Sequence, residues 1–351
     1  MTSQYLDVDD DINAAFDAAY DAGWTDGLPI IPPTEERVAA FLDKSDRKAH
    51  EVLAVLPPKR AEASIQKLAV NAVMAGCKPE YFPVIVAAVE ALADPTFELY
   101  GVNTTTNPVA PVFIINGPIR KEIDLNCSWG CFGPGNRANA TIGRALTLAL
   151  INIAGRIPGQ VSKATHAQPG RYAFCFGEHE EMSPWEPLHV ERGFRADEST
   201  VTALATTGTT NILDMLSKRP EELMMMIAHS YVSVGNNCYF AGYAKGEMGL
   251  VLCPPHARLI GEKFKKKQDV KEFLFEHTAW VPIEMFPDHL RSAIESNGLN
   301  QVVNGRVRIA PTPETFVVVV AGGLAGYQSV ALPGFGSPYM VTKPIARKPA
   351  R

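Results

Sequence analysis

Two cysteines stand just before a glycine-rich turn near the middle of the chain. Cys127 and Cys131 are followed by a Gly-Pro-Gly turn and an asparagine, a residue type that caps helix N-termini. Unpaired N–H groups and the helix dipole make such a start a site for a carboxylate or phosphate. A thiol beside it would have its thiolate favoured, so Cys131 is predicted to be reactive. The alternative is a glycine-rich connection with two buried cysteines. The residues expected to hold the anion are Gly133, Gly135, Asn136 and Arg137.

A second segment, residues 177–192, is rich in carboxylates and imidazoles at the end of a predicted strand. Such groups at a strand end can move protons or bind a divalent metal. Glu178 and Glu181 are the first choices for proton transfer. With His189 they also form the candidate ligand set of a metal site, although no HExxH signature is present. A surface loop with ordinary charges is an equally good interpretation.

A third candidate, His256, lies in the first turn of a helix that follows the strand predicted at 249–253. Catalytic groups often occupy this place in α/β folds. The helix N-terminus also disfavours the protonated imidazole. A structural histidine is the alternative interpretation.

Two further stretches carry polar groups next to predicted strands. The strand predicted at 316–320 enters a glycine loop at 321–326, which resembles other strand-to-helix anion loops, with Ser329 in reach. Asn103 and Thr104 precede an earlier predicted strand and are candidate substrate contacts.

Apolar periodicity predicts alternating helices and strands. Strands are expected at 112–117, 172–176, 200–206, 249–253 and 316–320, and the main helices at 10–23, 60–76, 79–94, 136–155 and 269–278. The recurring strand–glycine–helix passages favour an α/β fold, a layered mixed sheet with helices on both faces, in one body or two subdomains. The chain divides into a mainly helical region at 1–95, an α/β core with the site at 96–342 and a basic tail at 343–351.

The composition excludes several classes of protein. The chain has 351 residues, of which 46% are hydrophobic and 20% charged, as in globular proteins with a sizeable core. The net charge of -5 argues against a nucleic-acid-binding surface. Six scattered cysteines do not form a disulfide scaffold, and there is no signal-peptide core or bilayer-spanning run. We expect a cytoplasmic oligomer with no nucleic-acid or membrane partner.

Several known functional motifs are absent from the sequence or incomplete in it. Residues 133–138 fit GxGxxA, but no strand directly precedes them and no acidic residue follows at the distance a ribose-binding site needs. The chain contains no GxxxxGK[ST] and no GxSxG. The two central cysteines are spaced CxxxC, and no second pair completes a zinc or iron–sulfur site. The sequence therefore identifies no cofactor.

Segments spread over most of the chain resemble a bacterial family without a settled biochemical role. They are WTDGLPIIPPTEERV, AVNAVMAGCKPEYFPVIVAAVEAL, PVAPVFIINGPI, GPGNRANATIGRALTL, GEHEEMSPWEPLHVERGF and CPPHARLIG. Such proteins look like companions of small UGSC-type proteins, which are related to selenoprotein B of the glycine, sarcosine and betaine reductases. The resemblance implies thiol or selenol chemistry on small organic acids, shared with a small cysteine- or selenocysteine-containing partner. It assigns no catalytic residue, but Trp185 and Arg192 lie inside its matching segments and become candidate substrate contacts.

The leading hypothesis is an enzyme of small-compound catabolism acting on a small anionic substrate. Cys131 would serve as nucleophile or redox thiol in a reductive cleavage or lyase step. Glu178 or Glu181 would move the proton, and His256 is a further catalytic candidate. A second hypothesis is a divalent-metal hydratase or hydrolase that uses Glu178, Glu181 and His189. A third is a non-catalytic scaffold subunit.

Overall fold

The structure is a computed structural model that describes residues 6–9, 11–231, 233–239, 246–296, 301–336 and 338–346. Within these ranges the helices are α1 (Ile12–Asp21), α2 (Glu35–Leu42), α3 (Ile65–Met74), α4 (Phe82–Ala93), α5 (Leu99–Thr104), α6 (Ile119–Glu122), α7 (Arg137–Asn152), α8 (Leu188–Glu191), α9 (Pro220–Ser230), α10 (Pro254–Gly261), α11 (Lys267–His277) and α12 (Asp288–Ser296). None of the described helices is long and apolar enough to cross a membrane.

The strands of the described residues form two larger and two smaller sheets. They are β1 (Val52–Leu56), β2 (Ala61–Ser64), β3 (Ala110–Asn116), β4 (Cys175–Gly177), β5 (Thr200–Thr206), β6 (Thr210–Leu213), β7 (Met248–Leu252), β8 (Val281–Pro282), β9 (Val302–Val303), β10 (Arg306–Val307), β11 (Phe316–Val320), β12 (Gln328–Leu332) and β13 (Val341–Pro344). The first large sheet has the order β13-β5-β3-β4 and the second β11-β7-β12-β6. Each contains one parallel pair, β3 with β4 and β7 with β11.

The two large sheets face each other, and each carries helices on its outer side. In β3, Phe113 and Ile115 share a hydrophobic cluster with α3, α4 and α7, while Val112 and Ile114 belong to a different cluster. That second cluster also holds Val317 and is built from both sheets. Because side chains alternate along a strand, each strand presents one face to helices and the other to the opposite sheet. The layers are therefore helix, sheet, sheet, helix, with α9, α10 and α11 covering the second sheet.

The α/β class predicted from the sequence is confirmed. Its arrangement differs from one layered sheet, because two mixed sheets share a dry interface and neither has helices on both faces. The hairpin of β1 and β2 was not predicted. It occupies the start of the helix expected at 60–76, which instead begins at Ile65 after a cap by the Ser64 side chain.

The predicted domain boundaries do not coincide with breaks in the structure. Helices α3 and α4 belong to the same hydrophobic cluster as β3 and β5, so the N-terminal region packs directly on the first sheet. The boundary predicted at residue 343 falls inside β13. Residues 347–351 of the expected basic tail lie outside the described residues.

The central helix α7 follows the sequence-based expectation closely. Asn136 is its N-cap, and the Asn136 side chain accepts a hydrogen bond from the N–H of Asn139. The apolar positions Ile142, Leu146 and Ala149 are buried against the first sheet's helical layer. The sequence pattern predicted both the cap by a side-chain amide oxygen and the repeating apolar face.

We expect the interface between the sheets to carry much of the stability. Leu204→Ala, which empties a fully buried position in this interface, should lower the free energy of unfolding by about 2–5 kcal/mol. Leu216→Ala removes a side chain that is 84% exposed and should change it by less than about 0.5 kcal/mol. Urea unfolding measures both values, and equal effects would contradict the layered arrangement.

Candidate functional site

The carboxyl ends of four strands converge at one edge of the molecule. β3 and β4 run parallel and end together, as do β7 and β11. The loops that follow them are joined by hydrogen bonds: His179 N–H donates to the Val320 carbonyl at 2.7 Å, and Gly322 N–H to the Cys127 carbonyl at 2.9 Å. We call this edge, formed by residues 117–131, 178–189, 253–256 and 321–329, the carboxyl-end junction. Ligands of open α/β sheets bind outside such strand ends.

A buried relay of three side chains lies in this junction. Cys253 follows β7 and is the N-cap of α10. The Ser329 Oγ lies 3.9 Å from the Cys253 sulfur and 2.8 Å from His256 Nδ1. His256 Nε2 in turn lies 2.8 Å from the Asp214 carbonyl oxygen. Thiol, hydroxyl, imidazole and carbonyl are thus joined in one series of contacts.

The direction of the hydrogen bonds follows from what each group can donate. The Asp214 carbonyl only accepts, so His256 Nε2 carries the hydrogen and Nδ1 of the neutral ring accepts one. Ser329 therefore donates to Nδ1, and its oxygen is left as an acceptor. That oxygen already accepts from the Cys253 N–H at 3.2 Å. In its other orientation the hydroxyl donates to the Cys253 sulfur at 3.9 Å. The Ser329 hydroxyl therefore lies between the thiol and the imidazole.

Burial sets the protonation states of the relay. Burial lowers the pKa of His256, against smaller opposing effects of the Asp214 carbonyl and carboxylate. The ring is therefore neutral near pH 7 and can act as a base. Burial raises the pKa of the Cys253 thiol, and the backbone N–H of His256, the Ser329 hydroxyl and the Gln328 N–H oppose the increase. The resting thiol is protonated, so it needs the base that the relay supplies.

A glycine loop follows β11 beside the relay. Gly322 has a φ of +113°, a backbone conformation that glycine tolerates, and a Cβ placed on it would lie 4.0 Å from the Cys253 Cβ. A Cβ on Gly323 would come within 2.2 Å of the Trp129 ring, so Trp129 covers this glycine closely. The Trp129 side chain is itself 62% exposed. The loop thus lies beside the Cys253 side chain and is covered by a solvent-facing aromatic ring.

The predicted acid/base segment forms a charged cluster in the same junction. Arg120, which is 4% exposed, donates from Nη1 to the Glu178 carbonyl at 2.6 Å and lies 2.7 Å from Glu180 Oε2. It also donates to both oxygens of Glu181, at 3.3 and 3.2 Å. Although burial raises the pKa of Glu181, hydrogen bonds from Lys121 and Arg120 lower it to about 2. Glu181 is therefore a fixed anion near neutral pH and a poor proton donor.

Glu178 is fully buried and structurally engaged. Its Oε2 accepts from the Asn116 side chain at 2.7 Å and from the Leu188 N–H at 2.8 Å. Lys267 Nζ lies 3.8 Å from its Oε1. The side chain ties the end of β3 to α8. The structure brings Glu178 and Glu181 together through Arg120, which also interacts with the Cys127 thiol, but no hydrogen bond among the described residues joins either carboxylate to Cys131.

Cys131 does not have the environment expected for a reactive thiol. It is 7% exposed and lies among the apolar side chains between the two sheets. Burial and the neighbouring Cys127 raise its pKa to about 12, which is opposite to the predicted direction. The backbone N–H groups of Cys131 and Phe132 oppose this increase, and the helix itself begins only at Arg137.

The expected anion site at the start of α7 is occupied by protein groups. Asn136 caps the helix and donates to the Asp124 carbonyl at 2.7 Å, while Arg137 donates to the Gly76 carbonyl at 3.0 Å. Gly135 has a φ of +119° and, like Gly133, forms the turn into the helix. Asn139 fixes the preceding loop, because its side chain bonds both the N–H and the carbonyl of Asn126, each at 2.8 Å. The geometry supports a capping turn at this position.

The remaining candidates serve packing or lie elsewhere. Trp185 is 7% exposed and donates to the Phe264 carbonyl at 2.8 Å, so it anchors its loop. Arg192 lies 3.9 Å from Glu247. Asn103 donates to the Pro57 carbonyl at 2.9 Å and Thr104 to the Tyr100 carbonyl, both from α5, which precedes the amino end of β3. These two are therefore on the side opposite the carboxyl-end junction.

The metal hypothesis lacks a ligand set in this arrangement. Among the residues that the structure describes, no three His, Cys, Asp or Glu side chains are grouped so that they could hold a metal ion. His189 is fully buried, and neither of its ring nitrogens has a hydrogen-bond partner. Glu178, Glu181 and His189 are thus not assembled around a common point.

Two relay residues were missed as site residues, for different reasons. Cys253 carried a usable signal, since it ends a predicted strand and precedes the helix that bears His256. Ser329 arrives from β12, which pairs antiparallel with β7 so that Val330 lies opposite Val251. That pairing joins positions more than 70 residues apart in the chain, and no local sequence pattern predicts it.

Comparison with known proteins adds no assignment to this geometry. No protein-family model matches the chain, and neither the curated proteins nor the solved structures provide a match. The resemblance to a bacterial family therefore stays a prediction.

The Arg120 cluster makes the pH dependence of stability testable. The pKa of Glu181 falls from 4.5 to about 2 on folding, so its ionised form stabilises the fold above about pH 4.5 and this contribution is lost as the pH falls toward 2. Glu181→Gln should therefore be less stable than the wild type at about pH 6, and the gap should narrow at about pH 3. The midpoints of urea unfolding of the wild type and of Glu181→Gln at the two pH values measure this difference in stability. The exposed Glu186 supplies the control Glu186→Gln, and a gap that does not change with pH would contradict the assignment.

Proposed function

We propose that the protein is a thiol-dependent enzyme of small-molecule catabolism in which Cys253, rather than Cys131, is the nucleophile. The observation that carries this proposal is the series of contacts from the Cys253 sulfur through Ser329 to His256 and the Asp214 carbonyl. A nucleophile, a base and a group that orients the base are the parts that covalent catalysis by a thiol needs.

The chemical step uses groups already in contact. Neutral His256 takes the Ser329 proton at Nδ1 while the Ser329 oxygen takes the proton of the Cys253 thiol. The resulting thiolate attacks an electrophilic carbon and forms a carbon–sulfur bond. The displaced electron pair moves to a carbonyl oxygen or to the leaving group, and the imidazolium returns the proton to it. The Asp214 carbonyl keeps its hydrogen bond from Nε2 throughout and holds the ring in place.

The surroundings of the relay favour a small substrate. The exposed fractions of Cys253, His256 and Ser329 are 3, 2 and 0%, which suits a small molecule better than a polymer. The sulfur lies at the N-terminus of α10, where the helix dipole stabilises negative charge. Beyond Gly322, whose N–H is bonded to the Cys127 carbonyl, the glycine loop at 323–326 would offer backbone N–H groups for an oxygen that becomes negative. These features support the small anionic substrate that the sequence predicts.

Two reaction classes are proposed, the lyase step and the reductive cleavage of the leading hypothesis. A lyase step would need only the thiol and the relay. In a reductive cleavage, a second thiol would attack the Cys253 sulfur, release the product with a proton and leave a disulfide. A small cysteine- or selenocysteine-containing partner would supply that second group. A cytoplasmic location would keep the thiols reduced.

Exposed apolar side chains beside the relay support a partner subunit. They are Trp129, Met215, Leu216, Leu324 and Tyr327, with exposed fractions of 62, 61, 84, 52 and 47%. The loop at 213–217 adjoins this group through the bond from the Asp214 N–H to the Tyr327 carbonyl. Such a patch around a site is typical of a protein interface. Sedimentation of the purified protein, alone and with the partner, would show whether a second copy or the partner covers it.

The thiol assignment can be tested without a known substrate. We expect iodoacetamide to alkylate Cys253 faster than Cys131, whose pKa is raised to about 12. Ser329→Ala and His256→Gln should each slow the reaction of Cys253 by about tenfold or more, because each interrupts the route to the base. Mass spectrometry of tryptic peptides measures the rate at each cysteine.

Cys127 provides the internal control for this experiment. It is half-buried in the same junction and is not in contact with Ser329 or His256 among the described residues, so its alkylation rate should not change. A Cys253 rate no higher than that of Cys131, or one unaffected by His256→Gln, would rule out the relay. Full activity of a partner complex that carries Cys253→Ser would instead favour the scaffold hypothesis.

A further inference from the structure

Two arginines beyond the C-terminal end of α7 have no carboxylate partner among the described residues. Arg156 is 4% exposed, and its Nη1 is buried with no hydrogen-bond partner in the described part of the chain. Arg171 is half-buried and ends a short helical turn at Pro169–Arg171. Within the described ranges, no ion pair joins either guanidinium to an aspartate or glutamate. This is an unusual accumulation of positive charge inside a protein.

The charge on Arg156 persists despite its burial. Burial, together with the positive charge of Arg171, lowers the pKa of Arg156 to about 9, so the guanidinium is still protonated near pH 7. A buried charge without a partner is strongly destabilising unless something compensates for it. Backbone carbonyls compensate for Arg171, whose Nε donates to the Val109 carbonyl at 2.8 Å and whose Nη2 donates to the Asn107 carbonyl at 3.4 Å. Arg156 lacks such compensation at Nη1.

A hydroxyl and a lysine side chain lie close to this pair of arginines. Arg171 Nη1 donates to the Ser162 hydroxyl at 2.8 Å, which positions that side chain at the guanidinium. The turn that carries Ser162 is closed by the Gly159 N–H on the Ser162 carbonyl at 2.9 Å. Lys59 packs against Gly155, immediately before Arg156, since a Cβ on that glycine would lie 3.3 Å from the Lys59 Cβ and Cδ. Three cationic side chains and a hydroxyl therefore border one turn of chain.

We propose that Arg156 and Arg171 bind an oxyanion, a carboxylate or phosphate group, with the Ser162 hydroxyl beside it. Guanidinium groups bind the two oxygens of such a group in parallel, and this geometry is specific to oxyanions rather than to halide ions. An oxyanion would supply the partner that Arg156 Nη1 lacks.

This site is separate from the carboxyl-end junction. Arg171 binds the backbone just before β3, at the amino end of that strand, and Arg156 follows the C-terminal end of α7. The 16 residues of α7 span about 24 Å between the Asn136 cap and this end. The proposal therefore does not depend on the thiol chemistry and would survive its failure.

The probe for this site is inorganic phosphate, compared with chloride at matched ionic strength. We expect phosphate to raise the unfolding temperature of the wild type by about 2–5 °C, in a saturable manner, because the anion binds only the folded state. Arg156→Gln should abolish the rise, and Ser162→Ala should weaken it without disturbing the fold. Arg195→Gln, which removes an exposed arginine paired with Asp197, should leave it unchanged. Acetate in place of phosphate shows whether a carboxylate is bound as well.

Isothermal titration of the wild type with phosphate provides the second measurement and does not depend on a variant that folds. The proposal is supported by one saturable phosphate site per chain that chloride does not displace and that the Arg195→Gln variant retains. The absence of a saturable site in the wild type overturns it. So does a phosphate response that persists in Arg156→Gln, because the anion would then be bound elsewhere.

Discussion

The apolar contact between the two large sheets determines where polar chemistry can occur in this molecule. Side chains such as Val112, Ile114, Leu204 and Val319 from both sheets fill this interface, and helices cover the outer faces. β3, β5, β7 and β11 are consequently buried on both faces, as in parallel sheets covered by helices. A charged group in the middle of these four strands would lose its hydration, and the relay of Cys253, the Arg120 cluster and the arginine pair all lie at strand ends.

The same burial explains how much of the fold could be predicted. β3, β7 and β11 are largely apolar runs, β5 mixes apolar residues with threonine, and all four were found where expected. A run covered by a second sheet has the same composition as one covered by helices, so the sequence could not distinguish one sheet from two. β6, β12 and β13 were missed because each is partly exposed and is defined by a distant antiparallel neighbour rather than by its own pattern.

The sequence placed His256 correctly in the fold, but the surroundings of Cys131 differ from those expected. His256 lies in the first helical turn after β7, as predicted, and its pKa is shifted in the expected direction. Cys131 was favoured because it precedes the longest helix, but distance along the chain does not fix side-chain direction, and its sulfur points into the dry interface. Cys253 is itself the N-cap of its helix, α10. The different surroundings of the two sulfurs could not be predicted from the sequence, because they depend on which face of the backbone each sulfur occupies.

Helix α7 runs between the carboxyl-end junction and the arginine pair as one rigid element. At its start, Asn139 holds the loop at Asn126 that leads to Trp129, and beyond its end the chain turns into Arg156. A helix resists compression along its axis, since every turn is braced by its own hydrogen bonds. A displacement of α7 along its axis would therefore move the loop that leads to Trp129 and the turn at Arg156 together.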